Sequence, residues 1–324
     1  MGANPPLPGR WVGTHPTLFV LLALAHPAGA FELSWPVDCT IGDTCHIQQY
    51  PDHDPGPAAR DFTCGPLSYD GHDGTDIALA TRARMAQGVA VLAAAPGTVT
   101  GIRDGVADFA AFVEGRECGN GVLIDHGDGW ETQYCHLRQG SVVVKAGDKL
   151  AAGTKLGLIG QSGMAAFPHV HLSVRHNGSD IDPFLPDATT CALTPGPSLW
   201  ADPVMYEAGG FLDAGISAAV PDFDAIKAGL PTVALPETAP GLVLWAYAFG
   251  TRQGDEMRFQ ITGPEGQLLS EQTALDKTQA QMFRAIGKRL ATAAWPHGAY
   301  QGTVTLHRDG KPLDQIAVTV QITR

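Results

Sequence analysis

Charge is scarce in this chain. Only 17% of its 324 residues are charged and 7% are aromatic. A coiled coil or long-helix bundle needs far more of the first. The 21 Lys and Arg face 33 Asp and Glu, a formal net charge of −12, and no Lys/Arg cluster interrupts that balance. A surface of this sign repels nucleic acid and anionic membrane alike. Several sequence signals are missing altogether. There is no C-x-x-C, which removes support for zinc knuckles and thioredoxin-like redox chemistry. There is no H-E-x-x-H, so no glutamate sits one helical turn from a metal ligand. Ser162 lies in Gly160-Gln-Ser-Gly-Met164, one residue out of register with G-x-S-x-G, which leaves a serine hydrolase unsupported. No apolar run approaches the roughly 20 residues needed to span a bilayer.

What is abundant is glycine and proline, 39 and 24 residues. With 44% hydrophobic residues there is material for a sizeable core, and the breakers cut it into short strands. The first thirty residues carry Arg10, the apolar run Thr17–Ala25 and then Ala28-Gly29-Ala30. That order of features reads as a secretory signal peptide over 1–30, cleaved after Ala30, and predicts an exported protein, periplasmic or extracellular, with no membrane span after cleavage. In an oxidising compartment six cysteines imply disulfides. Cys39–Cys45 is the local pair. Cys118 and Cys135 flank a hairpin turning at Gly127-Asp128-Gly129, which leaves Cys64 with Cys191.

Short β runs occupy Val89–Val99, Gly121–Asp125, Glu131–Leu137, Lys155–Ile159 and His169–Arg175, with turn residues between them. The pattern weakens from about Thr194 to Pro231, where five prolines suggest a linker with one short helix. It resumes in Leu242–Phe249, Met257–Ile261, Tyr300–Leu306 and, past an Asp309-Gly310 turn, Ile316–Ile322. The expected architecture is all-β: an N-terminal disulfide-containing segment (31–64), an antiparallel β-sheet domain (65–193), a Pro-rich linker (194–230) and an immunoglobulin-like β-sandwich (231–324).

Chemistry concentrates in two places. Pro168-His169-Val170-His171 sets two histidines at i and i+2, on one face of a strand. In Gly71-His72-Asp73-Gly74-Thr75-Asp76, His72 and Asp76 meet through a turn. Two His and one Asp supply three N/O ligands, the count that suits a catalytic zinc with its fourth position open. Several other residues take plainer readings. His126 opens a Gly-rich turn and reads as structural. Asn120 and Tyr134 could line a cleft or pack. Cys135 is expected on the strand face opposite His136. Asn177-Gly-Ser179 is a glycosylation sequon. His46, His53, His176, His297 and His307 read as surface residues.

Taken in order, H-x-G-x-D, Tyr134-Cys-His136-Leu and H-x-H resemble the LytM/lysostaphin-type zinc metallopeptidases. So do Gly119-Asn-Gly-Val-Leu-Ile-Asp-His126, Ile159-Gly-Gln-Ser-Gly163 and Asp182-Pro183. The likeness covers roughly residues 68–186. It implies that 65–193 is a metallopeptidase domain, that His72, Asp76 and His171 bind Zn2+, and that His136 and His169 are unliganded catalytic histidines. It further implies a peptidoglycan peptide as substrate, cut in a stem or cross-bridge. The competing reading is a non-catalytic LytM-like regulator or wall-binding module. The C-terminal sandwich could bind the wall or a protein partner, and the 31–64 segment could cover the groove.

Overall fold

The computed structural model describes residues 31–111, 113–193 and 196–324. The expected signal peptide therefore lies outside the described residues. The chain order begins with β1 (His46–Gln49), β2 (Thr75–Ala78), α1 (Arg82–Gln87), β3 (Ala90–Leu92), β4 (Gly97–Arg103) and β5 (Asn120–Gly127). It continues with β6 (Trp130–Leu137), β7 (Lys149–Leu150), β8 (Lys155–Leu158), β9 (His169–His176) and β10 (Ser179–Asp180). One sheet runs β1-β2-β9-β6-β5-β4-β7, with β10 on β9, and a separate ribbon pairs β3 with β8.

Period-two alternation sets the two faces of this sheet. Along β9, Val170, Leu172 and Val174 are buried in the core, as are Val122, Ile124 and Tyr134 on β5 and β6. His169, His171, Ser173 and Arg175 therefore project to the other face. The β5–β6 hairpin turns on Asp128 and Gly129, both at positive φ (51° and 82°), as its Gly-Asp-Gly sequence predicted. Gly163, at φ +74°, marks where two loops cross. A Cβ there would lie 2.3 Å from the carbonyl oxygen of Glu117. Tyr134 is a core residue, its hydroxyl accepting from the Ala94 N–H at 2.7 Å.

The segment ahead of the motif is built into the sheet. β1 pairs antiparallel with β2, and Tyr50, just beyond it, packs against Phe62, Phe184 and Tyr206 with centroids 5.0–5.3 Å apart. His46 and His53, expected at the surface, are buried. His46 packs on Phe249 at 4.5 Å, and His53 Nε2 lies 2.7 Å from Asp182 Oδ2. Both partners lie far along the chain, and local polarity does not reveal them. The three disulfides, Cys39–Cys45, Cys64–Cys191 and Cys118–Cys135, follow the expected pairing.

The remaining elements are β11 (Gly210–Ser217), α2 (Phe223–Ala228), β12 (Leu235–Pro236), β13 (Gly241–Thr251), β14 (Glu256–Gly263) and β15 (Gly266–Ala274), then β16 (Gln279–Arg289), β17 (Gly298–Arg308) and β18 (Lys311–Thr323). Sheets β11-β13-β16 and β12-β18-β17-β14-β15 face one another. They enclose a common core that includes Ile216, Leu244, Phe259, Met282 and Val304. Pairing is antiparallel except between β12 and β18. The stretch expected as a linker thus contributes a strand, β11. Its Gly and Ala content hides the signal, because small residues suffice where β11 lies beside Trp245: a Cβ on Gly215 would meet that indole at 2.4 Å. Residues 32–324 form one unit, and β1 is held from both sides. The Ile47 N–H donates to Glu207 Oε2 at 2.9 Å, and Gln48 donates to the Ala280 carbonyl and accepts from Gln281, each at 2.9 Å.

Candidate active site

Asp76 on β2 and His171 on β9 are direct register partners across antiparallel strands. Such pairs bring Cβ atoms within about 5.5 Å, so the H-x-G-x-D and H-x-H motifs meet by strand pairing. His72 reaches the same point from the preceding turn. Its Nε2 lies 3.2 Å from Asp76 Oδ1 and 3.2 Å from His171 Nδ1, and His171 Nδ1 lies 2.9 Å from Asp76 Oδ1. All three residues are at least nine-tenths buried. Gly74 is required by this closeness, since a Cβ there would sit 2.5 Å from His171 Nε2.

The outer nitrogens decide which lone pairs face inward. His72 Nδ1 lies 2.8 Å from the Tyr50 carbonyl, which can only accept. That nitrogen carries the proton, and Nε2 presents its lone pair. His171 Nε2 lies 3.1 Å from both Asp73 Oδ1 and Ser173 Oγ, leaving Nδ1 to face the cluster. Three lone pairs about 3 Å apart repel unless a proton or a cation sits among them. Tetrahedral zinc with bonds of about 2.0–2.1 Å has ligand–ligand edges of about 3.3 Å, close to the spacing seen. His72, Asp76 and His171 therefore fit a metal ion in donor type, number and separation.

Two further histidines border the cluster. His136 follows Cys135, itself the register partner of His171 on β6. Between the pairs Val122–Tyr134 and Asn120–Leu137, β6 has two residues where β5 has one. This bulge sets His136 at φ +63° and turns its ring onto the groove face. Strict alternation, from which Cys135 and His136 were expected on opposite faces, fails here, and both line the same groove. His136 Nδ1 donates to the Ser162 carbonyl and His169 Nδ1 to that of Phe167, each at 2.8 Å. Their rings lie 4.6 Å apart, with His169 Nε2 3.5 Å from Asp76 Oδ1.

Burial, reinforced by the neighbouring His169 and His171, lowers the His136 pKa to about 3. Burial also lowers that of His169, against the pull of Asp76. For His171 burial acts the same way, but hydrogen bonds to Asp73 and Asp76 outweigh it and raise the pKa to about 9. Asp76 is disfavoured as an anion by burial, yet the surrounding imidazoles hold it well below the usual carboxylate range. The proton that His171 holds is the one a cation would displace.

Two cavities border this cluster. On one side a cavity of about 370 Å³ is bordered by Tyr69, Arg103, Gln133 and Arg175. On the other a cavity of about 570 Å³ is bordered by Pro51–Gly56 and Asp180. The 31–64 segment thus forms a wall of the second cavity. Asn120 and Ser162 are fully buried braces: Ser162 Oγ accepts from the Asn120 N–H at 2.9 Å and donates to the Leu137 carbonyl at 2.7 Å. His126 sits apart from the cluster, bonded to the Pro96 carbonyl and to Thr132 Oγ1.

Residues 70–183, which contain all five of these polar residues, match Peptidase family M23. This segment is an M23 peptidase domain. Over 91 residues the chain is 35% identical to the DD-carboxypeptidase/endopeptidase Mpg of Neisseria meningitidis serogroup B, covering 28% of this chain and 20% of that protein. Over 64 residues it is 36% identical to the peptidoglycan DD-endopeptidase ShyA of Vibrio cholerae, covering 20% of this chain and 14% of that one. A crystallised catalytic domain of the prophage-encoded M23 protein EnpA from Enterococcus faecalis shows 26% identity and a TM-score of 0.33, over 48% of this chain and 96% of that one. The chain spans about a fifth of the length of Mpg and less of ShyA. Tyr50, Asp73 and Ser173, which hold the outer nitrogens of the M23 histidines, were not picked out from the sequence. Asp73 and Ser173 lie within or beside the motifs, whereas the Tyr50 carbonyl leaves no side-chain signal.

Proposed function

We propose that the chain is an exported, zinc-dependent endopeptidase that hydrolyses peptide bonds in peptidoglycan stem peptides or cross-bridges. One observation carries this reading: three inward lone pairs, from His72, Asp76 and His171, beside two histidines that are not needed as ligands. Zinc held by those three residues supplies a Lewis acid that polarises a carbonyl and makes water acidic near pH 7. His136 and His169 do the proton work. The Nδ1–H of each ring is tied to a backbone carbonyl, so each Nε2 is an acceptor. His136, held neutral by burial, orients the attacking water through that lone pair. His169 takes the water proton through the lone pair on its Nε2 and passes it to the departing amine. The cavities on both sides of the cluster accommodate an extended peptide. The relatives named for peptidoglycan endopeptidase activity and the three disulfides support the substrate and the exported setting. Among the described residues no helix is long and apolar enough to cross a membrane.

The test is incubation of the purified chain with peptidoglycan, with and without a chelator, followed by mass analysis of soluble peptides. Chelator-sensitive release of peptides with new termini is expected. Binding to the wall with no new termini would overturn the enzymatic reading and favour a regulatory or wall-binding module.

A further inference from the structure

We propose that Asp73 is a positioning residue for the metal: its carboxylate selects the tautomer of His171 that can bind a cation. The proposal rests on the reading of His72, Asp76 and His171 as ligands. His171 has two ring nitrogens and can bind through Nδ1 only when the proton is on Nε2. Two side chains meet that Nε2, Asp73 Oδ1 and Ser173 Oγ, each at 3.1 Å. They are not equivalent. A hydroxyl donates or accepts, so Ser173 satisfies either tautomer, whereas an ionised carboxylate only accepts. Asp73 alone of the two therefore requires Nε2–H and an open Nδ1. The backbone at Gly74 is pressed against the same ring edge, where a Cβ would come within 2.5 Å of Nε2, and this lets the preceding side chain reach the ring.

The Asp73 side chain is half exposed, at 50%, and its ion-pair partner is His171. Its removal therefore costs the fold little and the ligand much. Partners of this kind behind a metal-binding histidine are worth about 10–100-fold in metal affinity.

The experiment uses the full chain with disulfides intact, stripped of metal, as wild type, Asp73→Asn, Asp73→Glu, Ser173→Ala and His171→Ala. Zinc affinity is read by competition with a chromophoric chelator, and folding by thermal melting of the metal-free forms. Asp73→Asn should bind zinc about 10–100-fold more weakly than wild type, with the metal-free melting temperature lowered by no more than the few degrees that one half-exposed ion pair is worth. Asp73→Glu should recover part of the loss, and Ser173→Ala should stay within about threefold of wild type, the scale on which a neutral hydrogen bond counts. Asp73→Asn within about threefold of wild type, or Ser173→Ala as damaging as Asp73→Asn, would overturn the proposal on the same scale. Wild type binding zinc no better than His171→Ala would overturn the ligand assignment itself.

Discussion

Replacing His136 by glutamine should flatten one limb of the protein's stability against pH. The ring is 7% exposed, and burial with two neighbouring imidazoles lowers its pKa to about 3, against about 6.5 in an unfolded chain. The folded state thus prefers the neutral ring. As pH falls below about 6.5 the unfolded chain takes up a proton that the folded chain refuses, and stability drops until the pH approaches the folded value. One proton is worth about 1.4 kcal/mol per pH unit, so between pH 7.5 and pH 5 this group removes about 2 kcal/mol. Glutamine is polar and of similar size but does not titrate. The assay is urea denaturation of metal-free wild type and His136→Gln, disulfides intact, at both pH values. Groups remote from His136 contribute alike to both proteins and cancel in the difference. The stability of wild type relative to the variant should fall by about 2 kcal/mol on acidification. A difference that stays within about 0.5 kcal/mol would show that the ring titrates normally and would refute the account of a neutral, water-orienting His136. Imidazole 15N shifts provide a direct check, because the His136 ring should remain neutral down to about pH 4.

Three further expectations follow from the site and its supports. His171→Ala should lose both bound metal and hydrolysis, whereas His169→Ala should keep the metal and lose hydrolysis. Metal content of the purified variants separates the two, and normal zinc in His171→Ala would reject the ligand set. Gly163→Ala should cost about 1–3 kcal/mol in denaturation, because it places a Cβ at φ +74° and 2.3 Å from the Glu117 carbonyl oxygen; an unaffected variant would mean that the loops separate freely. Removing Cys64–Cys191, which closes 127 residues of chain, should cost about 2–5 kcal/mol, more than removing Cys39–Cys45 with its separation of six. Equal losses would argue against the chain-entropy account.

The legible parts of the sequence were those governed by short-range period. Histidines two apart on one strand share a face, and His169 and His171 do. The Asp309-Gly310 turn, at φ 51° and 73°, joins β17 to β18 as its dipeptide predicted. Cys118 and Cys135 bond across their hairpin. What escaped depends on long separation or on local irregularity. His53 reads as polar surface because Asp182, its buried partner, lies 129 residues away. The extra residue in β6 that re-aims His136 has no composition signature, since Cys135 and His136 also suit a regular strand. β11 is concealed by glycine and alanine, residues that strands disfavour in isolation but accept beneath a tryptophan. Supporting carbonyls such as that of Tyr50 belong to the backbone and are set by the fold alone.

The hold that Tyr50 has on His72 bears on any attempt to transplant this domain. A cassette cut at residue 65 would carry every motif residue into its new host and leave behind the carbonyl that fixes the His72 tautomer. The same cut removes the strand that pairs with Thr75–Ala78, exposing a raw sheet edge beside Asp76. The smallest portable module therefore starts upstream of β1. Because Glu207 and Gln281 grip that strand from the far end of the chain, a faithful graft must bring their contacts or replace them.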